Sequence, residues 1–131
     1  VNESYSDIIL DHAENPRNRG LLDDANARGM NMNPVCGDVL VLTLRIEDGR
    51  IAAARFVTEG CTASIATSSI LTEMVTGLSL DQARELTHED IAEAAGGLPA
   101  SKLHSAALVI AGLRQALDNY ERAKADGSLP A

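Results

Sequence analysis

Aromatic residues are nearly missing from this chain: Phe56, Tyr5 and Tyr120 are the only three, and there is no Trp. A surface that stacks nucleic-acid bases is therefore not expected, and the core has to be aliphatic. Positive charge is also short. Eleven Lys and Arg against 19 Asp and Glu leave a formal charge of −8, which repels a phosphate backbone. No apolar run approaches the roughly 20 residues of a membrane span. No charged start followed by a long apolar stretch marks a secretory signal. Two cysteines in 131 residues are too few for a disulfide framework, so free thiols in a reducing cytoplasm are expected. What is present is 45% hydrophobic residues. That is enough for an aliphatic core in one domain over residues 1–131.

Hydrophobic spacing sets out the elements. Tyr5, Ile8, Ile9 and Ala13 mark a short helix over residues 5–14, stopped by the run from Asn15-Pro16 to Gly20. Residues 21–35 read as loop with one weak strand. Leu40, Leu42, Leu44 and Ile46 alternate as one face of a strand over 39–46. Asp48-Gly49 supplies a tight turn, and 51–58 return as a second strand with blurred alternation. A helix follows over 62–75, then two short helices at 79–86 and 88–95, with Thr87 and Asp90 spaced as a capping box. After Gly96-Gly97-Leu98-Pro99, a long helix over 101–124 carries the seam Leu103, Ala106, Ile110, Leu113, Leu117, Tyr120. Strands and helices are segregated along the chain, which predicts an α+β domain with an antiparallel sheet covered by helices. Residues 126–131 are expected to fray.

Chemistry-bearing residues fall at element junctions. Cys36 and Asp38 precede the strongest strand, Cys61 lies between the returning strand and a helix, and His104-Ser105 open the last helix. Two soft thiolates, a carboxylate and an imidazole suit zinc or iron. A helix N-terminus favours the thiolate form of Cys61. The plainer readings stand beside this one. A Cys after a strand is often a small buried hydrophobe, an Asp before a strand is often a turn former, and no Cys-x-x-Cys pair is present. His12 and His88 are expected to face solvent, Ser68-Ser69 to lie on a helix flank, and the acidic residues of 81–93 to form a solvated face.

The motifs Tyr5-Ser6-Asp7, Asp11-His12, Asn15 to Gly20, Asn33-Pro34-Val35-Cys36-Gly37-Asp38, Gly60 to Ser69, and Thr87 to Pro99 with Lys102-Leu103-His104 occur in order along the chain. Together they resemble the IscU/NifU-type iron–sulfur cluster assembly scaffolds, from about residue 5 to 123. The resemblance implies a three-stranded antiparallel sheet with helices packed against it. It also implies an assembly platform rather than a conventional enzyme. Such a platform takes sulfur from a cysteine desulfurase, collects iron, builds a transient [2Fe–2S] cluster and passes it to apo iron–sulfur recipient proteins. Carried over by position, Cys36 and Cys61 are thiolate ligands, Asp38 a weaker oxygen ligand and His104 an alternative ligand beside a third cysteine site.

Two departures qualify the match. The family has a cysteine where this chain has Ser105. A serine hydroxyl forms no persulfide, and it stays protonated near neutral pH. The run Leu98-Pro99-Ala100-Ser101-Lys102 keeps only the Leu, first Pro and Lys of the Leu-Pro-Pro-Val-Lys run of members served by a dedicated Hsp70-type chaperone, so the resemblance does not secure that partner. No second cysteine-bearing domain of the longer NifU type is expected. Mixed Cys/His ligation of [2Fe–2S] has a precedent in Rieske centres. Two rival readings remain: a degenerate homologue that binds zinc or only the desulfurase as a regulator, and a Cys61 thiol enzyme with His104 as base.

Overall fold

The computed structural model describes residues 5–34 and 36–127; Val35 of the Cys36 loop, and residues 128–131 of the expected frayed tail, lie outside them. Helix α1 (Asp7–Glu14) is followed by strands β1 (Ala27–Met32), β2 (Val39–Glu47) and β3 (Arg50–Glu59). Then come α2 (Thr62–Val75), α3 (Leu80–Arg84), α4 (His88–Ala94), a 3₁₀ turn (Ala100–Lys102) and α5 (Leu103–Ala125). The three strands form one antiparallel sheet in the order β1-β2-β3. This is the α+β arrangement with a long C-terminal helix that the chain pattern predicts, and the weak strand of 21–35 is β1.

The hairpin forms where expected. Asp48 and Gly49 have φ of 53° and 73°, the pair of positive values a two-residue primed turn needs. The blurred alternation of β3 has a local cause. Arg45 pairs with Ala53 but Ile46 pairs with Ile51, so Ala52 is an extra residue on β3. A bulge of this kind breaks the two-residue period. Beyond it, Ala54, Phe56 and Thr58 are buried while Arg55, Val57 and Glu59 are exposed.

Leu40, Leu42, Leu44 and Ile46 put the β2 face into a core with Ile51, Phe56, Leu71, Val75 and the buried side of α5. The α5 seam is buried from Ala106 through Leu117, and half-buried Tyr120 packs against the same core. Leu103 does not belong to it and is 45% exposed, because the chain enters α5 from a 3₁₀ turn and Leu103 is its first residue. Ser105, in the first turn of α5, is fully buried. The Thr87/Asp90 capping box is formed in both directions, and Ser79 with Gln82 makes a second one. His88 and the acidic side chains Asp81, Glu85, Glu89 and Glu93 are exposed.

Two expectations about α1 and α2 are corrected. His12 is buried, not solvent-facing, and Ser68 and Ser69 are fully buried, not on a flank. The reason is that α2 packs against α1, β3, α4 and α5 at once, so it has no solvated side over most of its length. Small hydroxyl residues permit that close approach and bond locally: Ser68 donates to the Ser64 carbonyl at 2.7 Å and Thr72 to the Ser69 carbonyl at 2.7 Å. Ser69 Oγ accepts from the Arg17 N–H at 2.8 Å and lies 2.8 Å from His12 Nδ1. The other ring nitrogen, Nε2, faces Glu73 Oε1 at 3.6 Å.

This arrangement makes stability pH-dependent. Burial, helped by the Arg17 charge, holds the His12 pKa below its ordinary value of 6.5 against the opposing pull of Glu73 and Asp11. The unfolded chain then binds a proton that the folded chain resists. The His12 contribution is complete above about pH 6.5 and is lost as pH falls towards and through the lower folded value. Thermal melts at pH 7.5 and pH 5.5 are expected to show a larger drop for the parent than for His12→Asn. Equal drops would remove His12 as the cause.

Candidate metal-binding site

The site lies where the β1–β2 loop, the N-terminus of α2 and the first turn of α5 meet. The β1–β2 loop is closed by Asn33 N–H to the Asp38 carbonyl at 2.8 Å and Gly37 N–H to the Asn33 carbonyl at 2.7 Å. Gly37 has φ +77°, a left-handed conformation that costs glycine little. The closed loop leaves Cys36 exposed and turns Asp38 inward, 6% exposed. Cys61 is the N-cap of α2 and makes no side-chain cap bond. Its sulfur is thus held at the terminus where the helix N–H groups are unpaired.

Cys36, Asp38 and His104 each present a ligand atom within 4.8 Å of the others. Donors around one small ion sit roughly 3–4 Å apart, so small side-chain rotations bring these three onto a common centre. Cys61 reaches the group through Asp38, with Sγ 3.6 Å from Oδ2. Its other polar neighbours are Ser64 Oγ at 3.4 Å and Ser105 Oγ at 3.9 Å. Cys36, Asp38 and His104 thus share one locality, and Cys61 adjoins it through Asp38. Among the described residues His104 groups with Cys36 and Asp38, and no hydrogen bond joins it to Cys61.

Asp38 is the hub. Burial works to push its carboxyl up, but hydrogen bonds from Ser64, Cys36 and Cys61, together with the Cys61 backbone N–H, outweigh it and hold it below the ordinary carboxylate value. Gly60 makes room for it: a Cβ there would stand 2.7 Å from Asp38 Cγ. Sequence reasoning missed Ser64. It is fully buried and donates to Asp38 Oδ2. The available signal was its spacing, three residues after the N-cap Cys61 on the same helical face. Beside the site, a cleft of about 290 Å³ runs between Met32, Pro34 and His104. A larger groove of about 950 Å³, lined by Leu21, Arg28 and Asn119, lies elsewhere along β1. Of the four candidate donors, Cys36 is exposed, Cys61 and His104 are half-buried and Asp38 is buried.

Residues 4–126 match the family model described as the NifU-like N-terminal domain. The chain is 45% identical over 118 residues to an iron–sulfur cluster assembly scaffold protein IscU of Archaeoglobus fulgidus, covering 90% of this chain and 77% of that one. It is 42% identical over 122 residues to the scaffold protein IscU of Escherichia coli K12, covering 90% and 94%. Its fold is similar to the crystal structure of a NifU-like protein N-terminal region from Brucella abortus, with a TM-score of 0.70 at 19% identity over 89% of this chain and 94% of the other. Among the described residues no helix is long and apolar enough to cross a membrane.

Proposed function

The chain belongs to the NifU-like N-terminal domain family, and from that premise we propose that it is a scaffold on which an iron–sulfur cluster is assembled for delivery to apo-proteins. The observation that carries the reading is the convergence of Cys36, Asp38 and His104 within 4.8 Å, with Cys61 tied to Asp38. In this reading iron and a transient [2Fe–2S] cluster are cargo, and sulfur comes from a cysteine desulfurase. Cys36 and Cys61 supply soft thiolates. His104 supplies nitrogen in the manner of a mixed Cys/His shell. Asp38 supplies a hard oxygen whose bond to iron exchanges more readily than a thiolate bond. An accepting protein would displace that bond first.

Anaerobic reconstitution with ferrous iron and sulfide tests the proposal. A visible sulfide-to-iron absorption band is expected. Tight zinc binding with no such band would replace the scaffold by a zinc-bound regulator, since the same four donors close a tetrahedral shell. Asp38→Ala is expected to retain the fold and to release its cluster to an apo-ferredoxin several-fold more slowly. Release at the parental rate would show that Asp38 is not the exchanging ligand.

A further inference from the structure

Asp38 is held by a short relay of buried hydroxyls. Ser64 donates to Asp38 Oδ2, and Ser105 Oγ lies 3.1 Å from Ser64 Oγ. Both serines are fully buried. Once Ser64 has given its single proton to the carboxylate, its oxygen is left as acceptor, and Ser105 is the donor to it. The hydroxyls sit between α2 and α5, behind Asp38. This gives Ser105 a chemical task other than ligation, one a thiol would perform poorly because S–H is a weak donor.

We propose that Ser64, backed by Ser105, is a positioning residue that sets the rotamer of Asp38, occupying one carboxylate oxygen and leaving lone pairs of the other for an ion shared with Cys36 and His104. The inference rests on the reading of Asp38 as a ligand. Second-tier partners of metal-binding carboxylates typically contribute ten- to a hundredfold in affinity. Without Ser64 the carboxylate has lost its main inward anchor, and in the resting state it turns among orientations that miss the ion.

The probe is Co²⁺ alone, titrated anaerobically into the full chain and followed by its ligand-field absorption. Ser64→Ala is expected to weaken Co²⁺ binding about tenfold and to shift the visible bands. Ser64→Thr, which keeps the hydroxyl, is expected to bind like the parent. In an Asp38→Ala background, Ser64→Ala is expected to cost nothing further. That non-additivity is the deciding readout, because a merely structural serine would weaken binding equally in both backgrounds. Equal losses in the two backgrounds, or no loss in either, overturn the proposal. Circular-dichroism melts of each variant confirm that the helices are kept. The scaffold reading fails separately: a chain that forms no cluster on reconstitution, yet shows the Co²⁺ coupling, sinks the function and leaves the Ser64–Asp38 relation standing. A chain that forms its cluster without the coupling does the reverse.

Discussion

Ser105→Cys is expected to hold a reconstituted [2Fe–2S] cluster on the order of ten times longer than the parent chain. Position 105 opens α5 directly after His104, and its Oγ lies 3.9 Å from Cys61 Sγ. A sulfur there would stand next to the Cys61 thiol. The N-terminal end of α5 favours its ionised form. The substitution also removes the hydroxyl that backs Ser64, so part of the gain is offset by a looser Asp38. The new thiolate bond to iron is the larger effect, because thiolate is the softer and stronger ligand. The same variant is expected to acquire a persulfide at 105 when incubated with a cysteine desulfurase and cysteine, mapped by mass spectrometry. Because the position is fully buried, the yield there should be lower than on exposed Cys36. Equal cluster lifetimes in the two proteins would show that Asp38 and His104 already complete the shell and that Ser105 limits nothing.

The largest structural effect is expected from Gly29→Ala. A Cβ at Gly29 would stand 2.2 Å from the Gly112 carbonyl oxygen and 2.6 Å from the Ala116 backbone nitrogen. Both are backbone atoms of α5, which rests on β1 at this point, so no side chain can turn aside. The helix would have to lift from the sheet, opening the Leu113 and Leu117 contacts along with it. Overpacking of this sort costs about 3 kcal/mol. Urea unfolding should show a lower midpoint at unchanged slope. Gly112→Ala is the control. Its Cβ would meet the Leu40 Cδ2 methyl at 2.6 Å, the far end of a flexible side chain that can move, so its cost should be distinctly smaller. If the two variants are equally destabilised, α5 yields more easily than the packing implies. Because α5 carries His104, Gly29→Ala should also weaken metal binding, whereas a change confined to the sheet would not.

These two positions also separate what sequence could reveal from what it could not. The Asp48-Gly49 hairpin, the alternation of Leu40 to Ile46 and the helical spacing of α2 and α5 are short-range facts. Each is decided by residues within one turn or one strand pair, so the order of elements and the α+β class were legible. The ordered motifs around Cys36, Asp38, Cys61 and His104 made the family legible too. That resemblance now has the family match behind it.

Burial of polar residues was not legible. His12 and Ser69 look like surface residues until α1 is laid against α2, and Ser64 looks like an ordinary helical serine until Asp38 turns in beside it. Leu103 looks like the start of a seam until the 3₁₀ turn sets where α5 begins. For the polar residues the deciding contact joins segments far apart in the chain: 57 residues from His12 to Ser69, 26 from Asp38 to Ser64, 41 from Ser64 to Ser105. Periodicity reports which side of an element is apolar, and it is silent about an element enclosed on nearly every side. The sequence by itself therefore determined the elements and their order. Only the tertiary structure decided which hydroxyls stand behind the candidate donors, because a serine's choice between water, its own helix carbonyl and a distant carboxylate depends on what the fold brings within about 3 Å of it.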